Sequence, residues 1–291
     1  MVFAVPVART FRCVSQEQTG RVVVITGASD GIGAAAARAL HARGDQVVVV
    51  GRSPAKTQAM ADELGAERHV ADFTSLRQTR ELAEELRGRH PRIDVLANNA
   101  GIIAGDRRQE TEDGHEQTFQ INHLAPFLLT MLLRDSLVAA RGRVIVTSSA
   151  AGVGARIDLD DLDFRERYTS VGSYGTTKLE NMLFARELAR RWGRDGVTAA
   201  AFHPGGVRTQ WGHDGGALVR YFVRSPARYL LRSPEKGAET LVWLATTEPS
   251  TTWGSGGYFA DCRPARANRR VEDPELCTGL WDRSLEILGL S

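Results

Sequence analysis

Three short stretches carry residues whose types and spacing could do chemistry. In "YGTTK" a phenol, Tyr174, and an ammonium, Lys178, stand four residues apart, which puts them on one face of a helix. An unperturbed tyrosine titrates near pKa ~10, and a neighbouring cation favours its phenolate. A tyrosine so placed can exchange a proton with a substrate oxygen near neutral pH. In "VTSSAAG" two hydroxyls, Ser148 and Ser149, close an apolar run. In "TGASDGIG" the glycines Gly27, Gly31 and Gly33 lie between a run of valines and a run of alanines. Glycines at a strand-to-helix turn let backbone N–H groups approach a pyrophosphate, whose charge the helix N-terminus favours. A carboxylate, Asp30, sits among them, beside the place where a negative ligand would lie. Because it directly precedes Gly31, where the helix should begin, Asp30 is expected to cap that helix.

These groups need a frame, and the order of elements supplies one. From Arg21 onward apolar runs alternate with helical patterns, the form taken by a parallel sheet with crossover helices. "RVVVIT", "DQVVVV", "ERHVA", "RIDVLANNA", "GRVIVTSS", "GVTAAAFHP" and "GSGGYFA" read as seven strands. Helices are expected over 32–43, 55–64, 76–87 and 173–192, with a long one inside 115–139 and another from about 233. The predicted fold class is α/β: a single Rossmann-type doubly wound domain, residues 20–291, with a seven-stranded, mostly parallel sheet and helices on both faces. Residues 1–19 are expected to be a flexible extension or a start codon assigned too early, because Pro6 and Arg9 interrupt their apolar pattern. The longest apolar stretch, 124–133, is too short to span a bilayer and suits a core helix.

Composition narrows the function classes. The chain has 291 residues, a net charge of +2, and 42% apolar and 25% charged residues, ordinary for a soluble globular protein and without a signature of nucleic-acid binding. Three scattered cysteines, Cys13, Cys262 and Cys277, argue against a disulfide framework or a zinc site, so no metal and a cytoplasmic location are expected. At the end of the second strand, where an NAD site usually has an acidic residue for the ribose 2′-hydroxyl, the chain has Gly51-Arg52-Ser53. Arg52 could pair with a 2′-phosphate through its planar fork, and Ser53 could add a hydrogen bond. NADP(H) is therefore expected in preference to NAD(H), with Arg52 as the source of positive charge.

Together these motifs resemble the short-chain dehydrogenase/reductase family over about residues 20–262. TGxxxGIG appears as Thr26 to Gly33, the adenine-side aspartate as Asp72 in "ADF", and NNAG as Asn98 to Gly101. The helix asparagine falls at Asn122 in "QINHLAPF", the serine at the end of the fifth strand, YxxxK at Tyr174 and Lys178, and the PG…T motif at Pro204, Gly205 and Thr209. The resemblance implies that Tyr174 acts as general acid or base and that Lys178 holds the nicotinamide ribose and lowers the tyrosine pKa. Ser149 would orient the reacting oxygen, and Asn122 would bind a water linking Lys178 to solvent. It selects Ser149 over Ser148, since the family serine is followed by two small residues and a glycine. Implied cofactor contacts are Gly27, Ser29, Asp30, Gly31, Ile32 and Gly33 in the turn, then Arg52 and Ser53. Asp72, Phe73, Asn98, Ala100 and Gly101 follow, with Tyr174, Lys178, Pro204, Gly205, Val207 and Thr209 on the nicotinamide side.

Ser149 and Tyr174 are 25 positions apart, a longer gap than is usual in the family. With the "DLDDL" insertion and "KLENMLFARELARR", this is similar to the branch containing retinol dehydrogenases and protochlorophyllide reductases. Retinol dehydrogenases often carry an N-terminal membrane anchor, for which residues 1–19 show no pattern. Residues 209–233, "TQWGHDGGALVRYFVRSPARYLLRS", would form the substrate lid; their apolar side chains favour a small hydrophobic carbonyl or alcohol. Arginines recur there every four residues, but Pro226 splits the pattern, so two short helices with solvated arginines are expected rather than a lipid-binding face. Relatives commonly associate through the helices over 115–139 and 173–192, and the branch includes monomers, so both monomer and homo-oligomer stay open. A catalytically idle NADP(H)-binding sensor or scaffold is the alternative function; it would have no need of the proton relay.

Overall fold

The structure, a computed structural model, describes residues 20–207 and 231–290. Eight strands form one sheet among them, in the order β3-β2-β1-β4-β5-β6-β7-β8: β1 Val22–Thr26, β2 Gln46–Gly51, β3 Glu67–Val70, β4 Val95–Asn98, β5 Arg143–Thr147, β6 Thr198–Phe202, β7 Gly257–Ala260 and β8 Arg263–Pro264. The first seven are parallel, and β8 runs antiparallel to β7. The chain winds outward from β1 to β3 and then returns to β4 on the other side, so the order reverses between β1 and β4. In such sheets ligands bind outside the carboxyl ends of the strands at that switch point. One strand more is present than the seven expected. The extra β8 follows a two-residue turn, Asp261-Cys262, in which both residues have positive φ, +50° and +56°, as a tight hairpin requires. A two-residue strand ending in proline has no alternation to read, and Pro264 is tolerated because the strand lies at the sheet edge.

The valine runs are explained by burial on both faces. Val24, Val48, Val50, Leu96, Val144 and Val146 point to one side of the sheet, against α3 (Leu76–Arg89), α5 (Ala125–Leu132), α7 (Ser170–Trp192) and α9 (Pro274–Leu288). Val23, Ile25, Val47, Val49, Val95 and Ile145 point to the other, against α1 (Gly31–His41) and α8 (Pro234–Thr246). The period-two division of a continuous apolar run is what a covered parallel strand demands. The run of alanines in α1 lets that helix lie close to the sheet, with Ala36 and Ala37 fully buried.

The helix expected inside 115–139 is broken. A short α4 (Gln117–Phe119) passes into a π-turn over Gln120–Leu124, then into α5, and the chain bends by 63° before α6 (Arg134–Ala140). Pro126, in the first turn of α5, brings no N–H to the ladder, and the wider i→i+5 turn upstream accommodates that loss. No single described helix is long and apolar enough to cross a membrane. Residues 1–19, Thr209 and all of the expected lid before residue 231 lie outside the described residues.

Candidate active site

The nucleotide turn is held open by glycine for identifiable reasons. Gly27 and Gly31 have φ of +66° and +54°, the left-handed region that costs other residues most. A Cβ at Gly33 would lie 2.2 Å from the Gly27 carbonyl oxygen. Asp30 caps α1 as expected: its backbone is extended and its Oδ1 accepts from the Gly31 N–H at 2.7 Å. Its second oxygen, Oδ2, pairs with Lys56 Nζ at 2.7 Å. The charge that seemed misplaced in the loop is thus met by a cation from the first turn of α2 (Pro54–Leu64). Arg52 is exposed, and Ser53 Oγ caps α2 by accepting from Lys56 N at 3.5 Å. Ser29 meets the end of β2: a Cβ at Gly51 would fall 2.8 Å from Ser29 Oγ and 2.4 Å from Thr57 Oγ1. Two cations, Arg52 and Lys56, therefore stand beyond the end of β2, and Lys56 is shared with Asp30. Lys56 falls within the helix expected over 55–64, but its pairing with Asp30 depends on two parts of the chain meeting and has no signal in the sequence.

The NNAG segment is stapled to this turn. Thr26 Oγ1 accepts from the N–H groups of Asn99 and Ala100, each at 3.0 Å, and Asn99 Nδ2 donates to Thr26 O at 3.0 Å. Several of the cofactor residues named from the sequence also have side-chain partners within the protein. Asn98 is 3% exposed and its Nδ2 donates to Thr130 Oγ1 at 2.9 Å. Phe73 is buried in the core, and Asp72 Oδ1 accepts from Thr74 N at 3.0 Å. Ile32 packs its side chain against the α1–α8 core. On the far side Gly205, with φ +80°, passes against the Arg232 side chain, and Val207 bridges to Arg232. Pro204 is half-buried between them and β6.

Four groups named from the sequence converge at the carboxyl ends of β4 and β5. Lys178 Nζ lies 5.5 Å from the centre of the Tyr174 ring and donates to Thr147 O at 3.1 Å. Ser149 is half-buried and hydrogen-bonds Tyr174, whereas Ser148 is 1% exposed and donates to Lys178 O at 2.6 Å. The two serines are separated by orientation: Ser148 ties β5 to α7, and Ser149 faces the phenol. Asn122 sits in the π-turn with its amide largely engaged. Its Oδ1 accepts from Ile102 N at 2.8 Å, and its Nδ2 donates to Ile102 O at 2.9 Å and Thr177 Oγ1 at 3.2 Å. Both N–H bonds are used, and one lone pair on Oδ1 remains. Gly101 lets its backbone come close to both groups, because a Cβ would lie 3.1 Å from Asn122 Oδ1 and 3.2 Å from Lys178 Nζ, tighter than ordinary contact.

Burial sets the electrostatics. Tyr174 keeps some exposed surface, yet the packing round its hydroxyl pushes the phenol up to about 12, with the Ser149 hydrogen bond pulling the other way. Burial pulls the Lys178 ammonium down to about 8. The net direction at Tyr174 is upward, so desolvation outweighs the pull of the Ser149 hydrogen bond. A second phenol, Tyr258 on β7, lies close enough for its charge to couple to Tyr174; burial raises it, and its hydroxyl has no hydrogen-bond partner. Its ring pairs with His203 at 5.6 Å. Neither residue stood out in the sequence, since a tyrosine in a strand and a histidine before a proline are ordinary. Among the described residues no group of acidic, histidine or cysteine side chains could hold a metal ion.

A doubly wound sheet, a glycine turn at its switch point and a tyrosine–lysine pair across from it define the class. The sequence profile of the short chain dehydrogenase family matches residues 21–217, and the chain belongs to that family. A protein of Streptomyces sp. (strain C5) assigned as a daunorubicin C-13 ketoreductase is 46% identical over 277 residues, 93% of each chain. Human retinol dehydrogenase 13 is 38% identical over 285 residues, 93% of this chain and 85% of the relative, which agrees with the branch indicated by the insertion. A crystal structure of an uncharacterised protein from Mycobacterium paratuberculosis superposes with a TM-score of 0.74, at 31% identity over 92% of this chain and 93% of that one. The chain is an oxidoreductase of the short-chain dehydrogenase/reductase type. Its family uses a nicotinamide dinucleotide, NAD(P)(H), and the bare glycine turn and the Arg52 and Lys56 cations fit that group.

Proposed function

We propose that the protein moves a hydride between NADP(H) and a hydrophobic carbonyl or alcohol, such as an aldehyde, a ketone or a retinoid-like alcohol, with Tyr174 as general acid or base. The observation that carries this reading is the convergence of Tyr174, Ser149 and Lys178 at one strand end. A phenol held up to about 12 keeps its proton until an oxygen that is becoming an alkoxide draws it off. Ser149 then donates to that same oxygen and fixes its direction. The Lys178 ammonium lowers the cost of the phenolate that remains. Reprotonation would pass through Lys178 Nζ, with a water bonded to the spare Asn122 Oδ1 lone pair as the link to solvent. The dinucleotide, when bound, supplies the hydride; Gly27, Gly31 and Gly33 would hold its pyrophosphate and Arg52 with Lys56 its 2′-phosphate.

Preference for an apolar substrate rests on the composition of residues 209–233, and relatives named for a ketone and for retinol point the same way. The test is NADPH oxidation against a panel of nonanal, acetophenone and all-trans-retinal, with Tyr174→Phe beside the wild type. The variant should lose about 10²–10⁴-fold in kcat while its NADPH affinity stays nearly unchanged. Turnover retained in Tyr174→Phe would refute the assignment, and a wild type that binds NADPH without consuming it would favour the sensor.

A further inference from the structure

Ser149 is placed by the turn that follows it. Its Oγ accepts from Ala151 N at 3.2 Å, opening a single 3₁₀ turn over Ala150–Gly154. That turn is pressed onto the catalytic helix: a Cβ at Gly152 would lie 2.8 Å from both Lys178 C and Leu179 N. A five-residue 3₁₀ turn has poor internal hydrogen bonding and does not hold its own shape well. Its outer side is held from the opposite end of the chain. Asn268 is 7% exposed, and its Nδ2 donates to Gly152 O and to Ala155 O, each at 2.9 Å. Its Oδ1 accepts from Arg270 N at 3.0 Å and so opens the next 3₁₀ turn, Arg269–Glu272. That segment is itself anchored, with Val271 in the core and Cys277 Sγ donating to Val271 O at 3.6 Å.

We propose that Asn268 is the positioning residue for Ser149, clamping the turn that aims its hydroxyl at Tyr174 and thereby tying the C-terminal segment to catalysis. The chemistry of the side chain is specific. A primary amide has two N–H donors on one planar nitrogen, enough to span two carbonyls, and an oxygen left over to cap its own segment. Serine or threonine would supply one donor, and aspartate none. An unheld turn would let Ser149 drift, and displacements near 1 Å at a reacting centre cost about a hundredfold in rate.

The inference rests on Ser149 acting as proposed above, and the test keeps the two apart. Asn268→Asp preserves volume and the cap to Arg270 while removing both donors; Asn268→Ala guards against an effect of the new charge. With nonanal as the probe, each should lower kcat about tenfold or more, with NADPH affinity unchanged. In a Ser149→Ala background the same substitutions should add almost nothing, because they act through that hydroxyl. Hydrogen exchange in the free protein should quicken at the 150–155 amides and not in the nucleotide turn. A kcat within twofold of wild type, an equal loss in the Ser149→Ala background, or unchanged exchange at 150–155 would each overturn the proposal. If the wild type reduces no carbonyl of the panel, the reading of function fails, and the exchange measurement still decides whether Asn268 holds the turn.

Discussion

Lys178 has two duties that pull its proton in opposite directions. It must be buried to stand beside Tyr174, and burial draws its pKa down to about 8; it must be charged to stabilise a phenolate and to meet an anionic cofactor. The charged form holds below that value and is lost above it, so the affinity of the free protein for NADPH should fall as pH rises through about 8. Fluorescence titration of NADPH across that range measures the limb directly. Lys178→Met, which cannot titrate, should bind more weakly and show no such limb; a limb that persisted in the variant would belong to another group. At this scale the sequence was informative about residue types and poor about environment. "YGTTK" announced the pair, but nothing in it reports that burial raises the Tyr174 phenol despite its Ser149 hydrogen bond. Nor does "KLENMLF" announce that Glu180 is fully buried with neither carboxylate oxygen bonded, its pKa well above the usual range through burial and the charges of Glu116 and Asp163.

At the nucleotide turn, elements decide where charge stands, because the N-termini of two helices carry it there. Asp30 caps α1, and Ser53 caps α2 one turn before Lys56. The Asp30–Lys56 pair is half exposed on both sides, so it contributes at most about 1 kcal/mol to stability, and its larger effect is on charge near the 2′ position. Arg52→Ala should weaken NADPH far more than NADH, by about tenfold or more for a lost charge-assisted contact. Lys56→Ala should do the same to a smaller degree, since Asp30 already shares that cation. Asp30→Ser keeps a capping hydroxyl, releases Lys56 from the pair and should favour NADPH. Dissociation constants for both cofactors in the three variants check this, and equal losses for NADH and NADPH in Arg52→Ala would remove the 2′-phosphate from the argument. The caps were legible because a cap is a local event, one residue type before one helix. Strand order, the place of Lys56 and the π-turn were not, because each depends on what another part of the chain brings alongside. Apolar pattern alone joined α4, the π-turn, α5 and α6 into one helix; the break depends on Pro126 and on packing that the pattern does not contain.

Across the whole molecule, the last helix closes the side of the sheet that carries the chemistry. Trp281 of α9 is 4% exposed and sets its ring 5.0 Å from Phe127, 6.0 Å from Phe184 and 6.2 Å from Trp192, with the Arg191 guanidinium 4.9 Å above it. Further along, the fully buried His123 hydrogen-bonds Ser284 at 2.9 Å, which ties α9 to the π-turn next to Asn122. The helix thus lies across α5 and α7. Removing its anchor tests how much it holds. Trp281→Ala should lower the unfolding free energy by about 3–5 kcal/mol, the usual cost of deleting a buried tryptophan side chain. Trp281→Phe should recover part of that by refilling the space between Phe127 and Phe184. The nucleotide turn belongs to the core on the opposite side of the sheet, with α1 and α8, so NADPH affinity measured well below the melting temperature should hardly change. Denaturant titration and NADPH binding on the same preparations separate the two effects. A loss below about 1 kcal/mol would fit a surface substitution instead and mean that α9 is not docked through Trp281; a parallel collapse of NADPH affinity would mean that the two sides of the sheet do not act independently.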